Sequence, residues 1–146
     1  MELYGQTFHC WKEEGHGWVS LKNAMKQSCD TYFYEVARLL GVDRLNKTAE
    51  KFGLGKKVLG DYFDNEKKGL FPNTVWKKNN LGKGWVLGET LITGIGQGYT
   101  QTTPLQLCMM TAQIANGGYA IKPKIIVDSN PTVSYTHLTL PTICSV

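Results

Sequence analysis

Long apolar runs are missing from this 146-residue chain. Nothing in it approaches the roughly 20 consecutive apolar residues of a membrane-spanning helix, and no basic stretch leading into an apolar core opens it. An excess of one charge is missing too. Sixteen basic against twelve acidic residues leave a net +4. The lysines stand singly or in pairs (Lys56-Lys57, Lys67-Lys68, Lys77-Lys78), which describes a solvated surface and excludes a concentrated nucleic-acid footprint. No serine is followed three residues later by lysine, and neither Lys-Thr-Gly nor Lys-Ser-Gly occurs. A serine nucleophile with a lysine base one helical turn away is therefore absent from these residues. The glycine-rich stretch Gly94-Ile95-Gly96-Gln97-Gly98 lacks the nucleotide-binding patterns: its third glycine comes one position early, Tyr99 takes the place of the last, and no Gly-Lys-Ser/Thr follows. Its glycines read as sites of close backbone packing.

What is present suits one globular domain. Hydrophobic residues make up 42% of the chain and charged ones 19%, enough to bury a modest core. Leu21, Ala24 and Met25, then Phe33, Val36, Ala37 and Leu40, repeat at helical spacing and predict two helices with one apolar face each. Between them lies the polar turn Ser28-Cys29-Asp30. That turn would hold a hydroxyl and a carboxylate still, and its plain reading is capping, since Ser and Asp are preferred helix N-caps. A third helix is expected over residues 43–52, with Asp43 as N-cap and Gly53 past its end, completing a helical layer. Residues 54–90 read as a long connection anchored by buried rings, among them Tyr62, Phe63, Phe71, Trp76 and Trp85. Thr103 and Pro104 predict another helix start, Asn116-Gly117-Gly118 its end, and residues 119–127 an edge strand interrupted by Pro123. Cys108, amid Leu105, Leu107, Met109 and Met110, is expected in the core.

Cys10, His16 and Cys29 form a set of soft and borderline metal ligands, six and thirteen positions apart. Two uses are open on spacing, small half-buried hydrophobes with a turn histidine or part of a metal site; a disulfide between the two thiols competes where the compartment is oxidising.

Several stretches together carry a resemblance. Phe8-His9-Cys10-Trp11-Lys12 runs into Gly15-His16-Gly17, followed by Ser28-Cys29-Asp30-Thr31-Tyr32-Phe33-Tyr34 and Gly41-Val42-Asp43-Arg44-Leu45. Later come Gly69-Leu70-Phe71-Pro72 with Trp76-Lys77-Lys78, and Gly94-Ile95-Gly96-Gln97-Gly98-Tyr99 with Thr103-Pro104-Leu105-Gln106. In this order they resemble the transpeptidase domain of the class B penicillin-binding proteins, most closely its penicillin-binding protein 2 branch. That family uses a Ser-x-x-Lys nucleophile, a Ser-x-Asn type motif and a Lys-Thr-Gly type strand. Ser28-Cys29-Asp30 matches the second, with Asp in place of Asn. The first and third are expected outside this chain, which then reads as the middle of a longer protein.

The resemblance implies an α+β fold: a partial penicillin-binding/β-lactamase-like domain, mainly its helical part with one or two strands. It implies a peptidoglycan D,D-transpeptidase that cross-links stem peptides through a serine acyl-enzyme and is acylated by β-lactams, with no cofactor required for catalysis. Ser28 and Asp30 are the implied catalytic residues; Cys10, His16 and Cys29 are the implied ligands of a structural zinc, the fourth being an Asp upstream. An elongation-type glycosyltransferase partner, a membrane anchor and a place on the periplasmic side of the bacterial inner membrane are implied for the full-length protein, and no nucleic acid. Two other classes share these features: a serine β-lactamase-like hydrolase and a non-catalytic penicillin-sensing or scaffold domain. The chain alone is expected to be inactive, since the Ser-x-x-Lys segment and the Lys-Ser-Gly strand that supply nucleophile, base and oxyanion donors lie outside it; the alternative is an improvised triad of Ser28, His16 and Asp30.

Residues 133–146 depart from that resemblance. Val133-Ser134-Tyr135-Thr136-His137-Leu138-Thr139-Leu140-Pro141-Thr142 is what a transposase-end sequencing adapter encodes when translated in frame, so the domain is placed at residues 1–132 and the tail is excluded as non-native.

Overall fold

The computed structural model describes residues 1–60 and 63–124. The chain divides into two compact units, Met1–Asn46 with Pro72–Thr100, and Lys47–Phe71 with the described part of Gln101–Val146. Among the described residues no helix is long and apolar enough to cross a membrane. The strands and helices fit the expected α+β class, but the strands lie at the N-terminus.

In the first unit, β1 (Glu2–Leu3) pairs antiparallel with β2 (Gln6–Thr7). The turn between them places Tyr4 and Gly5 at φ 51° and 76°, the left-handed pair that two-residue hairpins require. Helix α1 (Leu21–Lys26) starts at Ser20, whose hydroxyl accepts from the Asn23 amide. Only Ala24 of α1 is buried; Leu21 and Met25, expected on its core face, are exposed. A helix of under two turns touches its small core, Cys10, Ala24 and Cys29, at a single position.

Helix α2 (Asp30–Leu40) packs on α5 (Leu87–Gly94). The crossing depends on Gly94, where a β-carbon would collide with the Ala37 methyl and sit 3.2 Å from the Phe33 carbonyl oxygen. At Gly98 a β-carbon would sit 3.2 Å from an Ile92 methyl, a tight contact, while Gly96 serves the turn at φ 75°. Helix α2 buries Ala37 and Tyr34, and Tyr34 meets the edge of Phe8 with centroids 5.6 Å apart.

Helix α3 (Val42–Lys51) begins one residue earlier than expected, so Asp43 is not its N-cap. The Asp43 carboxylate instead accepts the amide and hydroxyl of Thr74 at 3.0 Å, supporting the start of another helix. That helix, α4 (Thr74–Leu81), is capped by Asn73, whose side chain accepts from the Trp76 amide at 2.7 Å, and is closed by Gly82 at φ 65°. Residues 54–90 are thus not a helix-free connection. Its rings are also less buried than expected: Phe71, Trp76 and Trp85 are half-buried, Phe63 is exposed, and Tyr62 lies outside the described residues. The buried residue of α4 is Lys77, joined to Glu89 on α5 at 2.5 Å.

In the second unit, α6 (Pro104–Ala115) has the predicted start: Thr103 Oγ1 accepts from the Gln106 amide and Gln106 Oε1 accepts from the Thr103 amide. The same fully buried Gln106 donates to the carbonyls of Lys56 and Lys68, pinning the preceding connection, and Gln113 donates to that of Phe52. The buried face of α6 is Gln106, Met109 and Gln113. Cys108, one residue off that face, is exposed, contrary to the core position expected from its apolar neighbours. Helix α6 ends at Asn116 as predicted. Of the strand expected over residues 119–127, Tyr119 alone has bridge geometry, residues 120–124 are irregular, and the rest lie outside the described residues. Pro123 supplies no ladder donor. The proposed tail, residues 133–146, also lies outside the described residues.

Candidate active-site turn and metal cluster

Helix α1 closes through a Schellman motif. The Cys29 amide donates to the Ala24 carbonyl at 2.9 Å and the Ser28 amide to the Met25 carbonyl at 3.3 Å, the two reverse bonds that define it. The motif needs a left-handed residue between, usually glycine; here Ser28 occupies it at φ 50°. For a residue with a β-carbon this conformation costs about 1–2 kcal/mol. A glycine would close α1 with less strain.

The capping reading of the turn does not hold. Cys29 is the N-cap of α2 and makes no side-chain cap bond. Ser28 precedes it and is exposed. Asp30 is the first residue of α2, where a negative charge suits the helix dipole, and its Oδ2 accepts from the Trp11 amide at 3.0 Å. A hydroxyl and a carboxylate thus flank Cys29, which is buried to 2% exposure.

Trp11 was not singled out as a functional residue in the sequence. Besides its amide bond to Asp30, its indole Nε1 donates to the Gln27 carbonyl at 3.0 Å, and its ring meets that of His16 with centroids 5.5 Å apart. Its signal was position alone, directly after Cys10.

Cys10 Sγ, His16 Nδ1 and Cys29 Sγ all lie within 4.8 Å of one another, with Cys10 Sγ and His16 Nδ1 at 3.3 Å. Both thiols are free and buried, Cys10 to 8% exposure. Burial, the largest single influence on Cys10, pushes its thiol up, but hydrogen bonds from the backbone amides of Lys12, Asp30 and Thr31 together outweigh it and leave the thiol below its ordinary value. Amides aimed at a sulfur favour the thiolate, the form a metal takes. His16 faces Cys10 and Trp11, and among the described residues no hydrogen bond joins it to Ser28, so the improvised Ser-His-Asp arrangement is not formed.

A strained serine and a carboxylate flank a buried cysteine at this turn, and the chain belongs to the penicillin binding protein transpeptidase domain family, whose model matches residues 2–139. That match runs past Thr132. The chain is 40% identical over 134 residues to the peptidoglycan D,D-transpeptidase MrdA of Acinetobacter baumannii, covering 92% of this chain and 20% of that protein. In structure it is similar to Pseudomonas aeruginosa PBP2 in complex with WCK 5153, with TM-score 0.80 and 42% identity over 94% of this chain and 33% of that one. It is also similar to the Helicobacter pylori penicillin-binding protein PBP2 in its complex with MreC, with TM-score 0.78 and 37% identity over 84% of this chain and 23% of that one. The chain therefore spans about a fifth of the length of the curated relative.

Proposed function

We propose that this chain is the part of a peptidoglycan D,D-transpeptidase that carries the second catalytic motif, with Ser28 and Asp30 in the active site of the full-length protein. The carrying observation is the strained, exposed Ser28, whose hydroxyl caps neither helix. In the full-length enzyme a serine from a Ser-x-x-Lys segment attacks the D-Ala-D-Ala carbonyl, D-Ala leaves, and an amine of a neighbouring stem peptide takes the acyl group. Ser28 Oγ accepts a hydrogen bond from the lysine of that segment and passes a proton to the leaving amine nitrogen; Asp30 orients this network. The oxyanion is held by donors outside this chain. β-Lactams acylate the same nucleophile.

The test is incubation with a fluorescent penicillin. The 146-residue chain is expected to remain unlabelled, and the full-length protein to be labelled at the Ser-x-x-Lys serine. Covalent label at Ser28 in the isolated chain would contradict the assignment. Recovering the flanking DNA for that experiment also tests the adapter origin of residues 133–146, which genomic DNA encoding Val133 through Thr142 would refute.

The Cys10, His16 and Cys29 set fits a structural zinc: two buried sulfurs and one imidazole nitrogen within 4.8 Å, with amides directed at one sulfur. When bound, the metal ties the loop of Cys10 to the turn of Cys29; catalysis does not need it. Three ligands leave a tetrahedral site incomplete, so the isolated chain is expected to bind cobalt(II) weakly and the full-length protein stoichiometrically, with a thiolate-to-cobalt charge-transfer band lost in Cys29→Ser. A full-length protein with no such band would refute the site and leave the thiols free for a disulfide.

The reading extends to an elongation-type glycosyltransferase partner and a periplasmic, membrane-anchored setting, supported by the likeness to proteins of this branch. Membrane fractionation and co-purification of the full-length protein test both, and a soluble cytoplasmic protein without such a partner would contradict them.

A further inference from the structure

We propose that Trp11 is a positioning residue for the Ser28-Cys29-Asp30 motif, its indole N–H holding Ser28 in the left-handed conformation while its backbone amide holds Asp30. The proposal rests on the transpeptidase reading for its catalytic consequence, but its geometric content stands on the turn alone.

The Gln27–Ser28 peptide unit is fixed at both ends: the Gln27 oxygen accepts from Trp11 Nε1 at 3.0 Å, and the Ser28 nitrogen donates to the Met25 oxygen at 3.3 Å. Rotating that plane is what changes the Ser28 φ. With the indole donor in place, the plane cannot turn without breaking a hydrogen bond at each end. Without it, the two reverse bonds of the Schellman motif are left to oppose relaxation of a strained serine. Two residues further on, the Trp11 amide donates to Asp30 Oδ2 at 3.0 Å. One residue distant in sequence therefore sets the hydroxyl on one side of Cys29 and the carboxylate on the other.

Core packing does not account for Trp11, whose residue surface is 66% exposed. Its ring reaches the turn through the Nε1 bond to the Gln27 carbonyl. The anchorage comes from beneath: Cys10, the preceding residue, is buried with Ala24 and Cys29, and the His16 ring meets the indole edge-on. Trp11 is thus rigidly mounted on the loop that carries Cys10 and His16, and reaches over to the loop that carries Ser28 and Asp30.

The test replaces the indole N–H alone. Benzothienylalanine placed site-specifically at position 11 keeps the ring shape and substitutes sulfur for N–H; Trp11→Phe is the encoded companion, and melting temperature checks that both fold. In the 146-residue chain the amide-to-α-proton coupling and α-carbon shift of Ser28 are expected to report a left-handed φ in the parent and to move toward right-handed or extended values in both variants. In the full-length protein the same replacements are expected to slow penicillin acylation on the order of 10- to 100-fold with little change in penicillin affinity before acylation. Unchanged Ser28 signals overturn the proposal. Shifted signals with unchanged acylation overturn the catalytic half. A full-length parent that is never acylated overturns the transpeptidase reading and the catalytic half with it, while the Ser28 signals, which need no activity, still decide the geometric half.

Discussion

Lys77→Ala is expected to destabilise the first unit by about 3–5 kcal/mol, the loss that follows when one partner of a buried ion pair is removed. Lys77 is 4% exposed and its ammonium meets Glu89 Oε1 at 2.5 Å, where the carboxylate side chain is 21% exposed. The same ammonium lies 5.8 Å from the Trp85 ring centre, and Glu89 also accepts from the Val86 amide and the Tyr99 hydroxyl. Removing the lysine leaves a half-buried carboxylate that cannot leave its post, because it also caps α5. The double variant Lys77→Met with Glu89→Gln keeps volume and removes both charges, so it should recover most of the loss.

The pair also carries a pH signature. Burial pushes the Glu89 carboxyl up, but the hydrogen bond and charge of Lys77, the Val86 amide and the Tyr99 hydroxyl outweigh it and hold the carboxyl below its ordinary value of 4.5. A lowered folded-state value contributes stability that is full above that ordinary value and is lost as pH falls through the lowered one. Urea unfolding at neutral and acid pH measures both effects. A Lys77→Ala change under about 1 kcal/mol would reduce the pair to the rank of a surface salt bridge.

The same pair shows why part of the fold was illegible in the sequence. Apolar periodicity finds a helix by its buried hydrophobes, and α4 buries a lysine. Only its ends were written in ordinary terms, Asn73 as cap and Gly82 as stop. Cys108 failed for the mirror reason: α6 buries Gln106 and Gln113, whose side-chain hydrogen bonds make them core residues, while its apolar Leu107 and Ile114 are exposed. Where termini carry their own chemistry the reading held, as at Thr103, Pro104 and Gln106. Asp43 was a capping residue as its type suggests, but it supports α4 across the fold.

The site divided similarly. Spacing raised the metal-ligand use of Cys10, His16 and Cys29 as one of two, and the structure brings their ligand atoms together. Resemblance, not periodicity, put weight on Ser28 and Asp30. Nothing in the sequence marked Ser28 as left-handed, because that conformation normally announces itself as glycine. Nor could it show Trp11 bridging the turn, since one of its two bonds comes from the backbone amide, which every residue but proline possesses.

The central claim is that Ser28 is kept for chemistry rather than for the turn, and Ser28→Ala in the full-length protein tests it by reading acylation and stability together. The Ser28 hydroxyl makes no capping bond and the residue occupies a strained position, so alanine, which keeps the backbone bonds, should leave unfolding free energy within about 0.5 kcal/mol. Glycine, which suits the left-handed conformation, should raise it by about 1 kcal/mol. Penicillin acylation should fall in both, on the order of 10²- to 10⁴-fold, the range that a positioned proton-transfer group supplies. The opposite pattern would contradict the account: acylation unchanged, with stability lowered by about 1–2 kcal/mol as when a helix cap is lost.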